Sequence, residues 1–148
     1  MGALVDGDSQ DGPVMRPEGG PLGPMVEIDA SGRLFLIGGF SPSSGLHHFP
    51  LGPACPWTGA EDVHSVRLSG SGRLWAWTAV TAAPPGYEGP VPYGLGVVEL
   101  DAERLRVIGR LTEPDPSRLR LGQPMSVVAE RLATLRMAWA FDPDQADQ

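Results

Sequence analysis

Hydrophobic residues alternate with polar or small ones along most of the chain after residue 62, a periodicity typical of half-buried β-strands. It predicts strands at Val63–Leu68, Arg73–Thr81, Tyr93–Leu100, Leu105–Leu111, Met125–Arg131 and Leu135–Phe141. One helical turn is expected within residues 112–119, with Asp115 as its N-cap and Pro116 at its first position. Because short antiparallel strands must close or cover their edges, the five main strands among these six are expected to form a small OB-type barrel.

The chain before residue 63 has a different pattern. Residues 1–24 hold six Gly and four Pro without apolar periodicity, so we expect a disordered leader. Residues 25–62 contain one short apolar strand, Leu34–Ile37, and then a stretch rich in Gly, Pro and Ser. This composition predicts a small loop-built module that cannot bury a core by itself. The predicted domains are the leader 1–24, the module 25–62, the barrel 63–141 and a frayed polar tail 142–148.

Composition excludes several classes of protein. The 20 Gly and 16 Pro among 148 residues disfavour a helical bundle. The net charge is −7 and the chain has no Lys, which disfavours a general nucleic-acid binder. A single cysteine, Cys55, excludes an internal disulfide and a multi-cysteine zinc site. With no signal-peptide pattern at its start and no membrane-length apolar run, the chain is expected to be cytoplasmic.

Two five-residue segments share a layout: a small residue, two intervening residues, a second small residue and Gly. They are Ser41-Pro42-Ser43-Ser44-Gly45 and Cys55-Pro56-Trp57-Thr58-Gly59. Zinc knuckles have this layout with Cys at both small positions. The ligand positions here would be Ser41, Ser44, Cys55 and Thr58. We expect no metal to bind, because hydroxyls are poor Zn²⁺ ligands and one thiolate cannot close a tetrahedral site.

Other interpretations of these segments stay open. Two glycine turns unrelated to zinc knuckles would fit the same residues. His47, His48 and His64 lie nearby and could contribute to a metal site, or one of them could activate Cys55 as a nucleophile. The second idea is disfavoured by the geometric demands of an activated thiol.

A set of short motifs follows the first of these segments in a fixed order. The motifs are His48-Phe49-Pro50, Cys55-Pro56, Ser69-Gly70-Ser71-Gly72, Trp75-Ala76-Trp77-Thr78, Ala83-Pro84-Pro85-Gly86-Tyr87, Val91-Pro92-Tyr93, Val98-Glu99-Leu100, Ile108-Gly109-Arg110-Leu111 and Leu121-Gly122-Gln123-Pro124-Met125. In their order and spacing, they resemble the acyl-CoA-associated zinc-ribbon/OB-fold family, once catalogued as domain of unknown function thirty-five. The resemblance runs from about Leu36 to Phe141.

The resemblance implies a degenerate rubredoxin-like zinc ribbon followed by a five-stranded OB-fold barrel. It also implies an accessory subunit of a thiolase-superfamily enzyme, such as a thiolase, a steroid side-chain aldolase or an acyltransferase. Such subunits support the complex and help to bind or shield the acyl-CoA chain, and some are paired with acyl-CoA hydratases. The sequence departs from the family pattern at three of the four zinc cysteines and at Gly52, where a basic residue is usual. Both departures weaken the case for zinc and for ribbon contact with CoA phosphates.

Contacts with a partner or with acyl-CoA are predicted on the loop 82–92 and on the strands beside it. The prolines of the loop pre-set an extended conformation, and its tyrosines offer a large contact area with few rotatable bonds. A rigid crossover packed on its own barrel would explain the loop equally well. Trp75 and Trp77 are expected on one strand face, as an adenine platform, an interface anchor or core. The candidate residues are Trp75, Trp77, Pro84, Pro85, Gly86, Tyr87, Pro92, Tyr93, Arg73 and Arg110.

Arginines are expected along one face of the strand Leu105–Leu111. Arg104, Arg106 and Arg110 could meet CoA phosphates there. A hairpin turn at Asp101–Arg104 would place Glu99 opposite Arg106, which instead predicts an ordinary solvated ion pair at Arg106.

The sequence thus predicts a non-catalytic accessory subunit in a hetero-oligomer with a thiolase-fold enzyme. No cofactor of its own is expected, and acyl-CoA would be a ligand shared with the partner; no membrane contact is expected. Three alternatives are an OB-fold nucleic-acid-binding module, an accessory partner of an acyl-CoA hydratase, and a small enzyme that uses Cys55.

Overall fold

The fold is taken from a computed structural model that describes residues 25–87, 89–131 and 137–144. The predicted disordered leader, the connection after residue 131 and the end of the predicted tail lie outside these residues. The described chain forms two compact units that meet in sequence between Ser69 and Gly70. None of the described residues forms a helix long and apolar enough to cross a membrane.

The first unit is a four-stranded antiparallel sheet built around one central strand. Its strands are β1 (Val26–Ile28), β2 (Leu34–Ser41), β3 (Leu46–His48) and β4 (His64–Arg67). Strand β2 pairs with each of the other three. Its mostly apolar sequence explains this central place, because a strand that is paired and covered needs apolar residues on both faces. Buried Leu34, Leu36, Ile37, Cys55 and Leu68 form the core of the unit.

Strand β2 needs glycine at its centre for steric reasons. A Cβ atom on Gly39 would lie 2.4 Å from the ring of His48 in the paired strand, and one on Gly38 would lie 2.5 Å from the His48 carbonyl oxygen. His48 itself is buried. Gly39 therefore lets the imidazole of His48 pack directly against the backbone of β2, and Gly38 does the same for the His48 carbonyl group.

The second unit is a closed five-stranded barrel, as the sequence predicts. Its strands are β5 (Ser71–Val80), β6 (Tyr93–Leu100), β7 (Leu105–Leu111), β8 (Pro124–Arg131) and β9 (Met137–Pro143), in the order β5-β6-β7-β9-β8. All pairs are antiparallel except β7 with β9. The interior holds fully buried side chains from every strand, including Leu74, Val98, Leu100, Val107, Leu111, Met125 and Phe141.

The predicted helical turn is confirmed as a single 3-10 turn, Pro116–Arg118. Asp115 caps it by accepting a hydrogen bond from the Ser117 backbone N–H at 3.0 Å, and Pro116 occupies the first helical position. The turn lies between β7 and β8, where it changes the chain direction before the last hairpin.

The structure differs from the predicted domain boundaries at both ends of the barrel. Strand His64–Arg67 pairs with β2 and belongs to the first unit, not to the barrel that was expected from residue 63. Strand β9 continues to Pro143, two residues into the predicted tail 142–148. The Asp142 carboxylate accepts a hydrogen bond from the Thr112 hydroxyl, and Asp144 accepts one from Ser126 at 2.6 Å, so polar residues continue the strand through side-chain bonds.

Candidate functional site

The two knuckle-like segments of the first unit form matching turns. The Gly45 N–H donates to the Ser41 carbonyl at 2.7 Å, and the Gly59 N–H donates to the Cys55 carbonyl at 2.8 Å. Both glycines have positive φ, 74° and 78°. The positive φ explains why each segment ends in Gly, because other L-residues adopt this conformation at a cost.

Three of the four predicted ligand positions come together. The Ser44 hydroxyl lies 3.6 Å from the Cys55 sulfur, and the Thr58 hydroxyl is hydrogen-bonded to the same thiol. The Ser41 hydroxyl does not join them: it donates to the Asp62 carboxylate at 2.6 Å. The structure thus places a small polar cluster, defined by Ser44, Cys55 and Thr58, where the two turns meet.

The polar cluster changes the acidity of Cys55. The Thr58 hydroxyl first, and then the Ser44 hydroxyl and the backbone N–H groups of Trp57 and Thr58, lower the pKa of the thiol to about 7, against the opposing effect of desolvation. Hydrogen bonds that stabilise a thiolate act in this direction. Cys55 is nevertheless only 1% exposed, so its thiol is not accessible to a bulky substrate.

The donor set does not fit a structural zinc ion. It offers one thiol and hydroxyls that stay neutral near pH 7, whereas closed zinc sites use four Cys or His ligands. Within the described ranges, no group of three or more His, Cys, Asp or Glu side chains is arranged to hold a metal ion. Among the groups described around Cys55, none is a histidine, so the structure gives the Cys–His alternative no geometric support.

Asp62 is a structural residue of this region that sequence reasoning missed. Its two carboxylate oxygens accept hydrogen bonds from the Ser41 hydroxyl and, at 2.8 Å, from the Ser43 backbone N–H. These bonds, with Ser41 contributing most, lower the pKa of Asp62 to about 2. Asp62 therefore fixes the first turn from a position three residues after the second turn.

Replacing Asp62 with asparagine is expected to lower the thermal unfolding midpoint of the first unit at pH 7. The pKa of Asp62 is about 2 in the folded chain and near the ordinary 3.8 when unfolded, so its stabilisation is complete above about pH 4 and is lost as the pH falls towards 2. The unfolding midpoints of wild type and Asp62→Asn should therefore become equal in acid. The unfolding midpoint of the first unit, followed by hydrogen exchange on heating at each pH from 2 to 7, checks this. Glu61→Gln, the exposed neighbouring carboxylate, is the control and should leave the profile unchanged.

On the barrel, the two predicted tryptophans lie on opposite faces, so the expected shared face is wrong. A β-bulge at Trp75 interrupts the pairing of β5 with β6: Leu74 is opposite Val98, and Ala76 is opposite the next residue, Val97. The extra residue reverses the alternation that follows it. Trp77 then faces buried Gly96 and donates its indole N–H to the Pro116 carbonyl at 3.1 Å, whereas Trp75 is 49% exposed.

On the outside of the barrel, Trp75 lies beside a row of charged residues formed by Arg106, Glu99 and Arg73. The Arg106 guanidinium sits 3.9 Å from the centre of the indole ring, and its Nε donates to Glu99 at 3.2 Å. The Glu99–Arg106 pair confirms the register predicted for this hairpin. Arg73 is opposite Glu99 on the other side, and its Nη1 donates to the Gly122 carbonyl at 3.3 Å.

A cavity of about 320 Å³ opens beside this row. It is lined by Arg73, Leu74, Trp75, Glu99, Asp101, Leu121 and Gly122. Sequence reasoning missed Leu121, an apolar residue that is 70% exposed in a loop, because no periodic pattern marks it. Arg104, which was expected on the strand face with Arg106, lies instead in the β6–β7 turn with φ 56°.

The proline-rich loop between β5 and β6 packs largely on itself. The Tyr87 and Tyr93 rings lie 4.8 Å apart, and the Tyr87 hydroxyl donates to the Pro90 carbonyl at 2.7 Å. The Arg110 guanidinium lies 5.8 Å and 5.4 Å from the two ring centres and is paired with Glu130. The remaining candidate residues of the loop, Pro84, Pro85, Gly86 and Pro92, are exposed. The tyrosines and Arg110 thus brace the loop, and the prolines form its outer surface.

Comparisons with known proteins agree with this architecture. The sequence profile of the C-terminal OB-fold domain of ChsH2 matches residues 65–130. A DUF35 domain-containing scaffold protein of Pyrococcus furiosus is 33% identical over 97 residues, which span 66% of this chain and 70% of that protein. A protein of the same name from Methanocaldococcus jannaschii is 28% identical over 101 residues, spanning 68% and 71% of the two chains.

Two further comparisons are a match over a shorter region and a likeness of fold. A probable enoyl-CoA hydratase alpha subunit of Thermomonospora curvata is 32% identical over 81 residues, 54% of this chain but 24% of that protein. A solved structure titled Ltp2-ChsH2(DUF35) aldolase matches with a TM-score of 0.59 at 23% identity, covering 74% of this chain and 84% of the solved chain. At that identity the likeness is one of fold.

Proposed function

This chain belongs to the DUF35 family of OB-fold proteins, and from that membership we propose that it is a non-catalytic subunit of a thiolase-superfamily enzyme acting on acyl-CoA or related thioesters. The observation that carries the proposal is the match to two proteins named as scaffolds, each covered over more than two thirds of its length. The fold neighbour titled as an Ltp2-ChsH2(DUF35) aldolase supports an enzyme partner.

The chemistry of the described residues is consistent with a supporting role. The one thiol, Cys55, is buried, and its described partners are hydroxyls and backbone N–H groups. An activated nucleophile needs a base within hydrogen-bond reach and access for the substrate. In this proposal the catalytic groups belong to the partner, and any acyl-CoA is shared with it.

We propose in addition that the first unit is a zinc ribbon that has lost its metal. The matching glycine turns, and the convergence of three of the four ligand positions, support this origin. The hydrogen bonds that the Ser41 hydroxyl and the Ser43 N–H donate to Asp62 take over part of the role of the metal, because they tie the first turn to the chain that follows the second.

Co-expression tests the proposed function. The tagged chain is expressed with thiolase-type proteins encoded beside it, and the molar mass of the purified material is measured by light scattering. We expect a particle that contains both chains in a fixed ratio, stable through gel filtration. A parallel arm uses an acyl-CoA hydratase subunit, because the relative named as a hydratase alpha subunit favours that partner as the second candidate. A complex with the hydratase alone would replace the thiolase-type partner in the proposal.

A further inference from the structure

A contiguous stripe of apolar side chains crosses the outer face of the barrel. The register places Ala76, Val97 and Ile108 side by side on strands β5, β6 and β7, and the bulge adds Trp75 to this row. Leu121 joins it across the cavity that it shares with Trp75. We call these five residues the outer stripe. Contiguous exposed apolar side chains of this kind mark interaction sites.

The large side chains of the outer stripe are strongly exposed. Trp75 is 49% exposed, Ile108 68% and Leu121 70%. Tyr87 and Tyr93 of the proline-rich loop, by contrast, are partly buried against each other and against Arg110. Apolar area that is still open to water, and not area already packed, supplies the free energy of docking.

The outer stripe is also held in place before any partner arrives. Arg106 covers the indole of Trp75 and is itself fixed by Glu99. The turn that presents Leu121 is tied to β5, because the Gly122 N–H donates to the Leu74 carbonyl at 2.8 Å and the Leu74 N–H donates to the Gln123 carbonyl at 2.9 Å. Side chains fixed in this way lose little entropy on binding.

The polar rim of the outer stripe indicates the chemistry of its partner. Two guanidinium groups border the stripe: Arg73 donates to the Gly122 carbonyl, and Arg106 donates to Glu99. The carboxylate of Glu99 is already engaged by Arg106, and Asp101 is the second acid that lines the cavity. These two cations and two anions balance, so the rim carries no net charge and favours an uncharged, apolar patch on the partner.

We propose that the outer stripe is the surface through which this chain docks on its partner enzyme. One exposed aliphatic or aromatic side chain of the partner enters the cavity between Trp75 and Leu121, from a patch of the partner that carries no net charge. This inference rests on the proposed function and adds the docking face to it. Trp77 has no part in the docking, because the bulge turns it to the other face.

The test measures the dissociation constant between the purified chain and the thiolase-type enzyme with which it co-purifies. Ile108→Glu and Leu121→Asp are each expected to raise that constant at least about tenfold, because a charge would replace a buried apolar contact. Ile28→Glu is the matched control: Ile28 is also an exposed apolar strand residue, 44% exposed, but it lies in the first unit. It should change the constant by less than about twofold. Thermal midpoints near that of wild type confirm that each variant is folded.

Each outcome has one meaning. Weakened binding by both stripe variants, with the control unchanged, supports the outer stripe as the docking face. Wild-type affinity in both stripe variants overturns this inference and leaves the proposed function standing. A wild-type chain that binds no thiolase-type enzyme overturns both. Self-association of the wild-type chain that Ile108→Glu abolishes would assign the outer stripe to a second copy, and would also overturn the inference.

Discussion

Replacing Ser41, Ser44 and Thr58 with cysteine together is expected to create a zinc site, whereas we expect the wild-type chain to bind no stoichiometric zinc. The Ser44 hydroxyl and the Cys55 sulfur are 3.6 Å apart, close to the separation of about 3.8 Å between sulfurs in a tetrahedral site with Zn–S bonds of about 2.3 Å. Both turns already have the glycine geometry that a ribbon needs. Structural zinc contributes about 10–16 kcal/mol of apparent binding free energy, so the effect on the first unit should be large.

Metal analysis of the purified triple variant checks this prediction, with about one zinc ion per chain expected. Addition of a chelator should lower its unfolding midpoint, and should leave that of the wild type unchanged. The single variant Ser44→Cys is the control, because two thiols cannot close a tetrahedral site. A triple variant that stays metal-free in the presence of zinc would show that the two turns are not the remnant of a ribbon.

Replacing Phe141 with alanine is expected to lower the free energy of unfolding of the barrel by about 3–5 kcal/mol. The ring is fully buried and meets Trp139 edge to face, with centroids 5.8 Å apart. The residue is opposite Val127 on β8 and Leu111 on β7, so it stands where the barrel closes. Since small domains have about 5–15 kcal/mol of total stability, this one change should leave the barrel close to unfolding.

Urea unfolding followed by hydrogen exchange in barrel peptides measures this effect separately from the first unit. Ile108→Ala is the matched control, because it removes a large apolar side chain that is 68% exposed and should change stability by no more than about 0.5 kcal/mol. A Phe141→Ala barrel as stable as the control would contradict the closure at Phe141.

The hairpin of β6 and β7 shows what the sequence predicts well. Both strands have their predicted bounds, and Glu99 meets Arg106 as expected. Regular alternation and a short turn determine the register of a hairpin, so local information is sufficient there.

The wrong predictions concern features that depend on contacts between residues distant in sequence. The bulge at Trp75 adds one residue, and a period of two extrapolated from Arg73 cannot detect it. The strand His64–Arg67 has only four residues. It pairs with β2, which precedes it in the chain, and not with the barrel strands that follow it. A short strand shows no preference in sequence for one sheet over another.

For the candidate site, the sequence predicted which residues lie close together better than it predicted their hydrogen-bond partners. The analogy with a knuckle grouped Ser44, Cys55 and Thr58, and in the structure both hydroxyls contact the Cys55 thiol. It did not show that Ser41 turns to Asp62, because that hydrogen bond joins residues 21 positions apart. Ile108 had a local signal, as an apolar residue between two arginines on one strand face, whereas Leu121 had none.

The mass of the particle that this chain forms with a co-expressed thiolase-type enzyme tests the central claim most directly. We predict both chains in one particle at a fixed ratio, with thioester turnover that survives Cys55→Ala in this chain. Elution of the chain alone at its own 15.7 kDa from every such mixture, or turnover of an acyl-CoA by the isolated chain that Cys55→Ala abolishes, would contradict it.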